Sequence, residues 1–145
     1  MGENTFQKIG ESEKVLFGPR AALICGFNPE EQEILVGFFR VIEMMDLHLV
    51  FVKDSDAGTT IQNLMALPHL TGLGFPSGLD RTVLLGGITE NELHRTLSAY
   101  RGLEWPRPLW ATLTPVSASW PLSALISELK KERTAVAKGS RPGES

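Results

Sequence analysis

Two kinds of apolar run follow one another along this chain. Residues 21–27, AALICGF, are apolar as far as Gly26 and resume with one phenylalanine, the pattern of a short strand covered on both faces. Asn28-Pro29-Glu30-Glu31 comes next and supplies an N-cap, a proline at the first helical position and a glutamate at N3 that can reach back to the cap. Leu35, Phe38, Phe39, Ile42 and Met45 then recur at spacings of three and four, which predicts a helix up to about Met45 that Gly37 weakens only locally. LHLVFV, residues 47–52, is β-branched and aromatic and predicts a second strand. KDSDAG leads from it to a short helix expected from Thr59, with Gln62 placed to complete a capping box.

The same order returns. After LPHLTGLGFPSGLD, residues 67–80, whose glycines and prolines predict a mobile surface loop, TVLLGGI (82–88) reads as a third strand. Thr89 and Glu92 form a second capping box on a helix striped by Leu93, Leu97, Tyr100 and Leu103. EWPRP, residues 104–108, ends that helix, and residues 109–113 read as a fourth strand. Leu122, Leu125, Ile126 and Leu129 stripe a last helix that closes on KKER, a charge suited to a helix C-terminus. Sliding Arg20 onto Arg81, an offset of 81 − 20 = 61, aligns residues 20–64 with 81–125 without a gap and with eight identities in forty-five positions. Gly26 meets Gly87, Asn28 meets Thr89 and Glu31 meets Glu92. A duplicated strand-helix-strand-helix unit accounts for this, as does the physics two such units share.

Alternating strands and helices predict an α/β fold, two strand-helix-strand-helix units on one four-stranded sheet, with AALIC and TVLL as its central pair. A ferredoxin-like α+β arrangement is the alternative, and the pattern leaves parallel against mixed pairing open. One domain is expected over residues 15–133, between a loosely ordered N-terminal segment (1–14) and a polar, aperiodic tail (134–145) expected to be disordered. The 42% hydrophobic content over 145 residues is enough for one core.

Charge and cysteine content narrow the setting. A net charge of −3 from interspersed acids and bases gives no basic footprint, so neither nucleic acid nor an anionic membrane is expected as a partner. No stretch approaches a membrane span or a signal sequence, and Cys25, the single cysteine, forms no intrachain disulfide, which together predict a cytoplasmic location. Cys25 lies in an apolar strand and reads as a packed small hydrophobe rather than a nucleophile. His48, His69 and His94 show no ligand spacing, so no metal is expected. TGLGFPSG follows a helix rather than a strand and opens no helix, which removes the phosphate-loop and dinucleotide readings, so no cofactor is expected and no catalytic residue is assigned.

Polar chemistry is left at the strand ends. Thr114, Ser117 and Ser119 stand between a strand and a helix N-terminus, where small hydroxyls and free N–H groups can hold an anion. On a parallel sheet, Asn28, Asp54, Asp56, Thr59 and Thr89 would lie at the same end and, with Trp120, form a ligand rim. The plainer reading has Ser and Thr capping the last helix, Pro121 starting it and Trp120 covering the core edge.

The joint Thr114-Pro115-x-Ser117-x-x-Trp120-x-Leu122-x-x-Leu125-x-x-Glu128 follows the strand LWATL, and strand-Gly-Phe-x-x-Glu-Glu and strand-Gly-Ile-Thr-x-x-Glu stand upstream. With them, residues 20–133 resemble a small bacterial family that is a domain of unknown function. The resemblance implies a small soluble bacterial α/β protein and carries over no activity, substrate or catalytic residue. Function is therefore expected to be noncatalytic binding of a small anionic ligand or a protein partner, with a homodimer compatible with either. The alternative is an enzyme built on Asp54, Asp56, Thr114 and Ser117, which requires a pocket joining KDSDAG to TPVSAS.

Overall fold

The computed structural model describes residues 13–139, and the expectations for residues 1–12 and 140–145 lie outside that range. Strand β1, Ala21–Cys25, is buried at every position. Helix α1, Pro29–Val41, starts at Asn28, whose side chain accepts from the Glu31 N–H while Glu31 reaches back to the cap N–H. β2 is His48–Phe51. A single 3-10 turn, Asp54–Asp56, and the short helix α2, Ile61–Met65, follow. β3, Thr82–Gly86, is again fully buried, and α3, Glu90–Arg101, carries the second capping box, between Thr89 and Glu92. β4, Leu109–Thr112, and a 3-10 turn, Ser117–Ser119, lead into α4, Leu122–Gly139. That helix continues past Arg133, because the Thr-Ala-Val-Ala-Lys that follows contains no helix breaker.

The four strands form one mixed sheet in the order β2-β1-β3-β4. β1 pairs parallel with β2, β3 parallel with β4, and the central pair β1 and β3 is antiparallel. AALIC and TVLL are thus the central strands, each buried on both sides. The ferredoxin-like alternative does not occur, since each strand-helix-strand unit is closed on itself rather than split around another strand. Alternate residues feed two cores. Ala22, Ile24, Val83 and Leu85 pack with Leu35 and Phe39 of α1 and Tyr100 of α3. Leu23, Cys25 and Leu84 pack with Ile61 and Leu64 of α2 and Leu122, Leu125 and Ile126 of α4.

The two units are related by an approximate two-fold that passes between Leu23 and Leu84. These residues pair across the sheet centre and differ by 84 − 23 = 61. The register Ala21↔His48 reappears 61 residues later as Thr82↔Leu109. Reciprocal contacts cross the axis: Arg20 pairs with Glu92 while Arg81 pairs with Glu31 at 3.1 Å. Below the sheet, Thr60 bridges Pro121, again 61 apart. Here the Ile61 N–H donates to the Trp120 carbonyl at 2.9 Å and the Leu122 N–H to the Thr59 carbonyl at 3.0 Å.

That crossing corrects the expected caps. Thr60, rather than Thr59, precedes α2, and its side chain makes no capping bond. Likewise Ser123 of α4 donates its N–H to the Ala57 carbonyl at 2.9 Å, so main chain from one unit satisfies the first turn of a helix in the other. Met45 also leaves the predicted stripe. α1 ends at Val41, Glu43 takes a left-handed φ of 67°, and the shift in phase buries Met44 while Met45 is exposed.

Candidate functional site

The two outer strands of the sheet differ in what covers them. On β2, the Leu49 N–H donates to His69 Nδ1 at 3.0 Å. The Leu70 N–H donates to the Leu49 carbonyl at 2.7 Å, and the Phe51 N–H to the Thr71 carbonyl at 2.8 Å. Gly72 lies so close that a Cβ there would sit 1.9 Å from the Phe51 carbonyl oxygen, and its φ is +82°. Only glycine meets both conditions.

The rest of this loop is tied down as firmly. Gln32, buried on α1, donates through Nε2 to the Phe27 and Phe75 carbonyls at 3.2 and 2.9 Å, and its Oε1 accepts the Gly74 N–H at 2.7 Å. Ser77 Oγ accepts the Gly26 N–H and Asp54 Oδ1 the Gly78 N–H. The segment 67–80 is therefore a strap over the β2 edge and not the mobile loop its composition suggests, because its main chain is bonded to β2, to the buried Gln32 and to Asp54.

Among the described residues β4 has no counterpart to this strap. The residues 61 positions after His69, Leu70 and Thr71 lie within α4, which runs on as helix. The Leu109 and Leu113 N–H groups donate inward to the Arg81 and Leu85 carbonyls, both at 2.8 Å. By the two-residue alternation of a strand, the main-chain groups of Trp110 and Thr112 face outward, and among the described residues β4 pairs with no strand but β3.

A cleft of about 650 Å³ opens along this edge. Leu97, Tyr100 and Arg101 of α3 form one wall, Leu129, Glu132 and Arg133 of α4 the other, and Trp105, Arg107 and Pro108 lie at the strand's start. The aromatic wall is fixed: the Tyr100 ring meets Trp110 edge-on at 5.2 Å and Trp105 at 6.1 Å. The Tyr100 hydroxyl donates to the Pro106 carbonyl at 3.2 Å. Burial raises the pKa of this hydroxyl, keeping it a donor, while Arg81 nearby acts in the opposite sense. Arg133 Nη2 donates to the Pro108 carbonyl at 3.0 Å, which ties α4 to the start of the strand. Three arginines against one glutamate make the cleft basic in an otherwise acidic chain.

The polar residues expected to form a rim are placed elsewhere. Because β1 and β3 run antiparallel, the C-terminal ends of β1 and β2 lie opposite those of β3 and β4, so the nine residues share no one end of the sheet. Asn28 and Thr89 cap α1 and α3. Asp54 holds Gly78, and Asp56 Oδ2 accepts the Lys53 N–H at 3.1 Å. Thr114 and Ser117 bond one another, with the Ser117 N–H donating to Thr114 Oγ1 at 3.0 Å and the Thr114 N–H to Ser117 Oγ at 3.2 Å.

These hydroxyls close the 3-10 turn before α4 rather than capping α4 itself. Ser119 Oγ reaches the Val116 carbonyl at 3.4 Å. Thr59 and Trp120 contribute their carbonyls to the crossing beneath the sheet, and the Trp120 ring is half-buried against the α2–α4 core. None of the nine lines the β4 cleft or the second large groove, which runs between Leu79, Asp80 and the outer side of α4. Neither of these two clefts, nor the small one beside His69, joins KDSDAG to TPVSAS.

Cys25 is buried, and its thiol is pushed up to about 12, first by desolvation and then by the negative charge of Asp56. Among the described residues no three His, Cys, Asp or Glu side chains are grouped so as to hold a metal ion, and no helix is long and apolar enough to cross a membrane.

Tyr100 enters the sequence pattern only as part of a helix stripe, and Trp105, Trp110, Arg101, Arg107, Arg133 and Gln32 are not among the residues that the pattern marks as site candidates. A signal was present in the 61-residue offset: the match stops after Leu64 and Leu125, where one unit turns into the strap and the other continues as helix.

Residues 81–136 match the model of a domain of unknown function, DUF3783, which bears out the resemblance to such a family over the second unit. No curated protein and no solved structure matches this chain.

Proposed function

We propose that this protein is a noncatalytic interaction module that takes a protein partner in the cleft beside β4, and that its two units arose by duplication with the second specialised for binding. The observation that carries the reading is the difference between two otherwise equivalent edges. His69, Leu70 and Thr71 satisfy the β2 edge, whereas the β4 edge opens on Tyr100, Trp105 and Trp110 among arginines. Exposed strand edges invite pairing and are ordinarily blocked, and aromatic and arginine side chains are the types that anchor protein interfaces. The hydroxyls and carboxylates at the strand ends are engaged in local hydrogen bonds, which supports binding over the enzyme alternative. A cytoplasmic setting in a bacterium fits the single buried thiol.

The reading is tested by two-dimensional NMR of the full chain against a library of short peptides and small anions. Binders should perturb the Tyr100, Trp105 and Trp110 signals. Perturbation centred on Asp54, Asp56, Thr114 and Ser117 with chemical change in the added compound would instead establish the enzyme.

A further inference from the structure

The outward main-chain groups of Trp110 and Thr112 and the charge of the cleft together define a partner more narrowly. We infer that the β4 edge takes an acidic peptide segment that adds to the sheet as a fifth strand, an inference that rests on the binding-module reading above. The geometry of the other unit supplies the precedent. At Leu49 and Phe51, which stand 61 residues before Trp110 and Thr112, the outward groups bond the main chain of the strap at 2.7 and 2.8 Å. An added strand offers β4 the same main-chain donors and acceptors in an unbroken row.

Charge selects among strands that could pair there. Arg101 and Arg107 are exposed, and Arg133 is exposed at the other wall, with Glu132 as the one acid on the lining. An edge-to-edge pairing of two copies would bring both sets of arginines together, whereas acids on the side of a partner strand that faces α4 would meet Arg133 with carboxylates that a guanidinium group binds in bidentate fashion, in a cleft whose net charge is positive. Side chains on the partner's other face would pack on Trp110 and Trp105, the part of the lining that is aromatic and only half-buried.

The test uses the full chain and three blocked peptides: one alternating valine and glutamate, its lysine-for-glutamate counterpart, and the acidic one N-methylated at alternate residues. Tryptophan fluorescence should report saturable binding of the acidic peptide. The lysine and N-methylated peptides should bind about tenfold more weakly or worse, as lost ion pairs and a lost main-chain bond imply. Amide exchange should slow at Trp110 and Thr112. Arg107→Glu should weaken the acidic peptide and strengthen the lysine one. Thr112→Pro, which removes an outward donor, should weaken both, and if that variant fails to fold the N-methylated peptide carries the same comparison.

Equal binding of the acidic and N-methylated peptides with unchanged exchange would overturn strand addition while leaving the cleft as a binding site. Preference for the lysine peptide would overturn the acidic partner. Failure of all three peptides, when the NMR screen finds other ligands in the cleft, would likewise overturn the inference and spare the reading beneath it. Failure of both experiments would remove that reading as well.

Discussion

Cys25 closes β1 with its thiol inside the core formed by α2 and α4, and the pKa shift there has a stability consequence. The unfolded thiol releases its proton near 9, the folded one near 12. Between those values the unfolded state has lost a proton that the native state keeps, so stability falls as pH rises, by up to about 1.4 kcal/mol per pH unit from this group. Cys25→Ala should flatten the alkaline limb of a urea-stability profile measured from pH 8 to 11, and an unchanged slope would mean the thiol reaches solvent. In native protein at pH 7.5 the thiol should resist a thiol reagent until unfolding. Gly72 is the residue with least tolerance: Gly72→Ala places a methyl on the Phe51 carbonyl at a left-handed φ and should cost several kcal/mol in urea melts. The buried Cys was legible from its apolar run, whereas the role of Gly72 was not, because contact with β2 depends on how the strap folds back and no local pattern encodes that.

At the scale of elements, Gln32 sets the position of the strap. Gln32→Ala leaves the buried Phe27 carbonyl, and the more exposed Phe75 carbonyl and Gly74 N–H, without the partners they have now, and should cost about 1 to 2 kcal/mol, chiefly the penalty for orphaning the one buried group. Amide exchange at Phe51 should accelerate with it, while exchange in β3 rises only as global stability falls. The arginine pairs across the two-fold make a second prediction. Glu92 is held below the ordinary carboxylate range, chiefly by its hydrogen bond from Arg20, with the Thr89 N–H and Arg95 assisting against desolvation. A depressed carboxylate contributes stability above its unfolded pKa of about 4.5 and loses it as pH falls through the folded value. Arg20→Ala should therefore destabilise by about 1 kcal/mol at pH 7, discounted for the partial exposure of the arginine, and by less at pH 3. Equal losses at both pH values would place the effect in packing. The capping boxes Asn28–Glu31 and Thr89–Glu92 were legible because they are local. The starts of α2 and α4 were not, because their first N–H groups are satisfied across the two-fold by residues about 60 positions away.

For the molecule as a whole, the two-fold makes each unit dependent on the other. Each central strand is buried on both faces and pairs with the other along its full length, so a chain cut between residues 80 and 81 should yield two fragments that are unfolded by circular dichroism when alone and recover structure when mixed. Folding of either fragment as a monomer would show that the units are autonomous. The order of elements and the central pair were readable from hydrophobic runs, and the 61-residue offset was visible in the sequence. The antiparallel central pairing was not, since uninterrupted apolar strands read alike in either direction, and on that pairing the expected rim depended. The departure from two-fold symmetry is where the proposed function lies, and native-state hydrogen exchange on the chain without added ligand measures it directly. The Leu49 and Phe51 amides should exchange slowly under the strap, with Trp110 and Thr112, their equivalents in the second unit, exchanging faster by orders of magnitude while β1 and β3 set the slowest limit. Protection of Trp110 and Thr112 equal to that of Leu49 and Phe51 would mean the β4 edge is already closed, and the proposed docking site would not exist.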